Sequence, residues 1–264
     1  MDLKLTGQTC VVVGGASGIG LAIARAFADE NCGVGIVDRD EVAMTELAES
    51  DGFETFQGDI TDAEAMVDSR EHLARVLGRV DHVVVAAGIG SGKFGFPFWN
   101  LETSDWPRVL AVNLLGPVLV AHAYGPGLAG QNSGTMLFLV SVAAQIGSQT
   151  DPPYSAAKAG VINFMQCAAK DLAPYKVRVN ALSPGMVKTP LNQSVWAAGQ
   201  ELLPKNERQD YESWATEKIQ KISPLGEWQT PPEFGALAVF LASQHAKNIT
   251  GQTLNIDGGQ VMHS

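Results

Sequence analysis

Short apolar runs alternate with stretches of helical period along the whole chain. Residues 9–13 form a compact apolar run, and 18–30 follow with Ile19, Ile23, Ala26 and Phe27 on one helical face. A second apolar run covers 33–37, a helix 41–49 and a short third strand 55–57. Residues 62–78 read as a longer helix, with Asp62 at its start and Gly78 at its end. Residues 80–86 are nearly all apolar, as suits a strand covered on both faces. The pattern then predicts a helix over 104–124, a strand over 135–140, a helix over 152–172 and a strand over 177–182. A helix over 231–242, opened by Pro231 and Pro232, and a last strand over 253–256 complete it.

Repeated strand–helix–strand order means a parallel sheet with helices on both faces. The expected fold is therefore α/β, a single-domain, Rossmann-like, doubly wound sheet of about seven strands. No repeat or linker divides residues 1–264. One insertion stands out at 191–222, polar and aromatic (Trp196, Tyr211, Trp214), and it reads as a substrate lid.

Composition narrows the function by exclusion. Lys and Arg number 18 against 28 Asp and Glu, a formal net charge of -10. That balance argues against a nucleic-acid footprint and against an anionic membrane surface. No run of about 20 uninterrupted apolar residues suggests a membrane span, and residues 1–10 do not read as a signal peptide. Cys10, Cys32 and Cys167 show no metal or redox spacing, so reduced, buried thiols in a cytoplasmic protein are expected. No HxxxH pair offers a zinc site, and no metal is expected. Glycine is abundant, at 28 residues, which points to tight turns or close backbone approach.

Part of that glycine lies between the first strand and the first helix, as Gly14-Gly15-Ala16-Ser17-Gly18-Ile19-Gly20. Glycines in that place let backbone N–H groups approach a pyrophosphate at a helix N-terminus. The cofactor-binding candidates there are Gly14, Ser17, Gly18, Ile19 and Gly20. Asp38 ends the second strand, where a carboxylate accepts hydrogen bonds from adenosine ribose hydroxyls and repels a 2′-phosphate. Arg39 follows and is suited to that phosphate, but neither Ala16 nor Ser17 supports it with a second cation. The cofactor expected is NAD, with NADP as the alternative.

The ordered set Gly14/Gly18/Gly20, Asp59, Ala87-Gly88, Asn113, Ser141, Tyr154-Ser155-Ala156-Ala157-Lys158, Pro184-Gly185 and Asp257-Gly258-Gly259 resembles the short-chain dehydrogenase/reductase family. The similarity covers nearly the whole chain and leans toward NAD-preferring alcohol or polyol dehydrogenases. Tyr154 and Lys158 are four residues apart on a helix and share a face. The neighbouring ammonium is expected to lower the Tyr154 pKa and make it a general base for an alcohol proton. The resemblance implies that Ser141 holds the substrate oxygen and that Asn113 supports a water relay to Lys158. Pro117, four residues past Asn113, lacks the N–H that would bond the Asn113 carbonyl, and so is expected to free it for that relay.

The resemblance further assigns Asp59, Ile60, Ala87 and Gly88 to the adenosine side. Lys158 takes the nicotinamide ribose, and Pro184, Gly185, Val187 and Thr189 the carboxamide side. Asn180 is structural. Val13 and Val85-Ala86 replace polar family residues that brace the sheet, so local bracing is in question. Substrate walls are expected from Ser141, Ala143, Gln145, Gln149, Tyr154, Met186 and Trp196, with aromatic support from residues 93–99.

The expected activity is NAD-dependent interconversion of a secondary alcohol (cyclic, hydroxy-aliphatic or polyol) and its ketone, with Tyr154 as general base and acid. An NADPH-dependent carbonyl or 3-oxoacyl-thioester reductase is the alternative. A catalytically idle nucleotide sensor or scaffold is the alternative from another class. The partner expected is a small alcohol or ketone, with no nucleic acid and no membrane. A homodimer or homotetramer is expected through the small residues Ala156, Ala157, Ala159 and Gly160.

Overall fold

The computed structural model describes residues 1–262. Strands β1 (Thr9–Val13), β2 (Gly33–Asp38), β3 (Glu54–Gln57), β4 (His82–Val85), β5 (Gly134–Leu139), β6 (Val177–Pro184) and β7 (Thr253–Ile256) form one sheet. Their order is β3-β2-β1-β4-β5-β6-β7, and every pairing is parallel. The chain winds outward from β1 to β3, then returns to the centre at β4 and winds the other way. The carboxyl ends of β1 and β4 therefore flank the switch point of a Rossmann-like sheet, where open α/β folds bind ligands.

Strand alternation builds two cores. Cys10 and Val12 of β1 face one apolar layer with Ile23, Phe27 and Phe234. Val11 and Val13 face the other, with Val120, Phe138 and Val161. The first layer is covered by α1 (Gly18–Asp29) and α10 (Pro231–Ala242). The second lies under α3 (Ala63–Leu77), α5 (Gly116–Gln131) and α7 (Pro152–Leu172). Helix α2 (Glu41–Ser50) links β2 to β3, and α4 (Trp106–Leu110) precedes α5. The insertion after β6 is two helices, α8 (Pro190–Glu201) and α9 (Tyr211–Ile222).

The helix expected over 104–124 differs most. Between α4 and α5, residues Ala111–Leu115 wind as a π turn, with the Gly116 N–H bonded to the Ala111 carbonyl. Pro117 is the second residue of α5, where no N–H is needed. The helix also runs past Gly125-Pro126 to Gln131, because Tyr124 and Leu128 are anchored in the core on either side of the proline. Joined end to end, Thr103–Gln131 is long and apolar enough to cross a membrane by length and composition, contrary to the sequence expectation. That expectation required an uninterrupted apolar run. Here 44 % of the most apolar window is buried within the chain, against α3, α7 and β5.

At the amino edge of the sheet a buried polar cluster ties three strands. Asp81 accepts from the Thr9 N–H (3.0 Å), and His82 bonds Thr135 Oγ1 (2.8 Å) and Gln8 Oε1 (2.7 Å). Cys10 is buried and Cys32 half-buried, but Cys167 is exposed, so not every thiol is interior.

Candidate active site

At the carboxyl edge, the turn after β1 is shaped by close contact. Gly14 adopts φ +82°, and a Cβ there would collide with the Ala87 backbone N. A Cβ on Gly20 would collide with the Gly14 carbonyl, so the first turn of α1 packs directly on the loop. Gly18, at φ +55°, faces open space, its nearest neighbour being Thr189 Cγ2 at 3.9 Å. Ser17 caps α1 without a side-chain bond to the first-turn N–H groups. The missing polar braces at Val13 and Val85-Ala86 are replaced by backbone: the Val13 carbonyl accepts from Ala86 N (2.8 Å) and Ala87 N (3.1 Å).

These residues line a cleft of about 440 Å³ together with Asp38, Arg39, Asp59, Ile60, Ala87 and Gly88. One Asp38 oxygen accepts from Ala16 N (3.1 Å), the other from Arg39 N (2.8 Å) and Asp40 N (3.2 Å), which fixes the carboxylate at the cleft edge. Asp59 turns to its own loop, accepting from Thr61 N and Thr61 Oγ1, and these bonds hold its carboxyl below the usual range. Ile60 is buried beneath Gly116. A glycine turn open to donors, a helix N-terminus and a carboxylate at the second strand end are the groups that a dinucleotide needs.

A second cavity, of about 230 Å³, adjoins the first. Both are lined by Ile19, Ala86, Gly88, Leu139 and Thr189. Ser141, Tyr154 and Lys158 line the second, with Pro184, Gly185, Met186 and Val187 along its floor. Ser141 follows β5, and its Oγ accepts from Ala143 N (3.1 Å), which fixes the rotamer and leaves the hydroxyl hydrogen free to donate. Ser141 and Tyr154 face the same cavity, close enough for the Ser141 hydroxyl to lower the proton affinity of the phenol. The Lys158 ammonium bonds the Leu139 carbonyl (2.8 Å) and lies 5.7 Å from the centroid of the Tyr154 ring.

Asn113 is fully buried in the π turn. Its Nδ2 donates to the carbonyls of Ile89 (2.7 Å) and Val109 (3.0 Å), and its Oδ1 accepts from Ile89 N (3.1 Å). The amide thus clamps the loop after β4 to the helix. Gly88 sits between it and the lysine: a Cβ there would be 2.9 Å from Asn113 Oδ1 and 3.4 Å from Lys158 Nζ.

Burial dominates the proton affinities. It pushes Tyr154 up to about 12; the nearby Ser141 hydroxyl opposes this, and the Asp151 carboxylate adds to it. Burial pulls Lys158 down to about 8. The lowered tyrosine expected from sequence is not seen in the protein alone, where desolvation sets the direction.

Four expected wall residues lie outside the second cavity. Ala143 starts the short helix α6 (Ala143–Ile146), and its carbonyl accepts from Ser155 Oγ (2.6 Å). Gln145 pairs with the Asn255 amide (2.9 and 3.0 Å). Gln149 lines a separate outer groove with Phe96, Phe98 and Trp99, which are 52 %, 69 % and 71 % exposed. Trp196 donates to the Gln209 carbonyl (3.2 Å) and packs edge-on against Tyr211, holding α8 to α9. Ala143, Gln145 and Trp196 are held by partners that period and spacing do not reveal.

The cavity instead gains Ser148, Thr150, Asp151, Asn192, Val195 and Lys218. Asp151 had a sequence signal as the residue before a Pro-opened helix; Lys218, deep in the insertion, had none. Gln229 also went unnoticed. Its Oε1 accepts from Met186 N (2.7 Å) and its N–H donates to the Met186 carbonyl (3.0 Å), which pins the floor loop. Among the described residues no group of three or more His, Cys, Asp or Glu is placed to hold a metal.

Residues 14–261 match the family model described as enoyl-(acyl carrier protein) reductase. The D-threitol dehydrogenase of Mycolicibacterium smegmatis is 32% identical over 263 residues, 98% of this chain and 94% of that one. The 3-oxoacyl-[acyl-carrier-protein] reductase of Thermotoga maritima is 32% identical over 265 residues, 98% of this chain and all of that one (100%). An NAD-dependent glycerol dehydrogenase of Listeria innocua is 30% identical over 260 residues, 98% of this chain and 95% of that one.

Proposed function

The chain belongs to the short-chain dehydrogenase/reductase family, an enzyme family acting on CH–OH groups with NAD(P), and on that premise we propose that it is an NAD-dependent dehydrogenase. Its substrate in this reading is a secondary alcohol, cyclic, hydroxy-aliphatic or polyol, and its product the ketone. The observation that carries the reading is that Ser141, Tyr154 and Lys158 line one cavity, which shares five lining residues with the cleft of the glycine turn and Asp38.

Bound NAD supplies the two-electron acceptor for the carbinol hydrogen. The protein does the rest. Ser141 would donate its hydroxyl hydrogen to the substrate oxygen, and Tyr154, its own proton lost to solvent once the Lys158 charge and the positive nicotinamide of bound NAD favour the phenolate, would take the proton from that oxygen as the carbonyl forms. In the reverse direction Tyr154 returns the proton. Lys158 keeps a positive charge beside the phenol and is aimed by the Leu139 carbonyl. Asn113 is a positioning residue, holding the Gly88–Ile89 backbone against that lysine. Gly14, Ser17, Gly18, Ile19 and Gly20 receive the pyrophosphate, and Asp38 receives the adenosine ribose, with Arg39, Asp59, Ile60, Ala87 and Gly88 around the adenosine. Pro184, Gly185, Val187 and Thr189 hold the nicotinamide end, and α8 and α9 close over the substrate.

The competing reading is an NADPH-dependent 3-oxoacyl-thioester reductase. Asp38 at the ribose position and a cavity of about 230 Å³, below the usual ligand-pocket range, favour the first. A panel of secondary alcohols with NAD and with NADP, followed by absorbance of the reduced cofactor, decides. Turnover with NAD supports the proposal. Activity confined to NADPH and acyl thioesters overturns it, and any turnover excludes a non-catalytic sensor.

The same reading includes a homodimer or homotetramer, in the cytoplasm. The exposed Phe96, Phe98 and Trp99 and the exposed Leu115 beside α7 support it. The small residues contribute less than the sequence suggested: Ala157 is buried, and Gly160 faces Leu114 of its own chain. Ala156 and Ala159 stay on the outer groove.

A further inference from the structure

The substrate cavity carries two charges that the proton transfer does not use, and they come from different walls. Asp151 caps α7, is 8 % exposed, and lines the cavity beside Tyr154. Its Oδ2 accepts from Ser91 N (2.7 Å), while Oδ1 is buried without a hydrogen-bond partner. Lys218, on α9, lines the same cavity with Asn192 and Val195 of α8. Its ammonium lies 4.4 Å from the centroid of the Trp214 ring, and no ion pair to it occurs among the described residues. Two neighbouring lysines are engaged: Lys188 pairs with Glu212, and Lys221 with Glu217.

A half-buried cation without a carboxylate, facing a cavity that already holds a reaction centre, is a vacancy for an anion. Resting on the dehydrogenase reading, we propose that Lys218 binds a carboxylate of the substrate, so that the alcohol oxidised is a small hydroxy acid whose carboxylate is at least two bonds from the reacting carbon.

The position of Asp151 sets that distance. Its carboxylate shares the reacting end with Tyr154, where a substrate carboxylate on the adjacent carbon would meet like charge. A hydroxyl donor suits Oδ1; an anion suits the α9 side. One lysine among Val195 and Trp214 matches a single negative charge, whereas a phosphate monoester brings up to two charges and three acceptor oxygens that these walls leave unmet. Burial lowers the Lys218 pKa, the mark of an ammonium that is poorly solvated and so receptive to an anion.

Matched substrates isolate the charge. 3-Hydroxybutanoate and 1,3-butanediol differ only in carboxylate against hydroxymethyl, and 2-hydroxybutanoate moves the carboxylate next to the reacting carbon. The wild-type enzyme is expected to prefer 3-hydroxybutanoate over both by about tenfold or more in kcat/KM. Lys218→Met, which keeps the apolar stem, raises KM for 3-hydroxybutanoate about 10–100-fold, the weight of one charge-assisted hydrogen bond. It leaves kcat and the diol nearly unchanged, and Lys218→Arg restores the preference. A preference for the diol, or equal loss on both substrates in Lys218→Met, overturns the assignment while the dehydrogenase reading stands. Calorimetric titration with butanoate, which cannot be oxidised, separates the two. Binding to wild type that is lost in Lys218→Met supports the anion site even if no alcohol turns over. Equal binding, or no binding to either protein, removes it.

Discussion

The Lys158 ammonium donates to the Leu139 carbonyl at 2.8 Å, so the last residue of β5 aims the cation that faces Tyr154, while Ser141 stands two residues further along the same strand exit. One strand end thereby sets the spacing of all three side chains. The arrangement needs a helix, α7, whose N-terminal turns lie directly over that edge.

Tyr154→Phe removes the proton acceptor and keeps the ring. We expect kcat to fall about 10²–10⁴-fold, with dinucleotide affinity, read by fluorescence of reduced cofactor, unchanged. A fully active Tyr154→Phe enzyme would sink the mechanism.

Asp38→Ala removes the ribose acceptor and the carboxylate that would repel a 2′-phosphate. Loss of a charge-assisted hydrogen bond predicts about 10–100-fold lower kcat/KM with NAD, and a relative gain with NADP. The assignment is wrong if wild-type enzyme already turns over faster with NADP under subsaturating conditions.

His82 makes the fold acid-sensitive. Burial pushes it down to about 4 from its ordinary 6.5, with Asp81 raising it back only in part. Below 6.5 the unfolded chain takes up a proton that the folded chain refuses until about 4, so stability falls as pH drops through that window. The loss is on the order of 3 kcal/mol. Denaturant titrations from pH 7 to 4 should show it, and His82→Gln should flatten the slope. An unchanged slope would assign the acid sensitivity elsewhere.

Sedimentation should find a dimer or tetramer. Trp99→Glu, which places a charge on the outer aromatic groove, should weaken association without touching the cavity walls. A wild-type monomer at micromolar concentration would refute the assembly.

The sequence by itself determined the layers, the seven strands and the glycine turn at the carboxyl edge of the first strand. Those rest on local signals: five buried residues in β1, glycine where Gly14 must adopt a positive φ, and the fixed i to i+4 spacing of Tyr154 and Lys158. Only the tertiary structure decided the substrate walls. Gln145 and Trp196 have the residue types of a pocket, yet Asn255 and Gln209, distant in sequence or across a turn, draw them away. Lys218 looks like any helical surface lysine until the fold brings α9 to a cavity lined also by Leu139 of β5 and Pro184 of β6. The pKa of Tyr154 follows the same rule. Its ammonium neighbour is visible in the spacing, but the burial that raises the phenol exists only once α7 packs on the sheet edge.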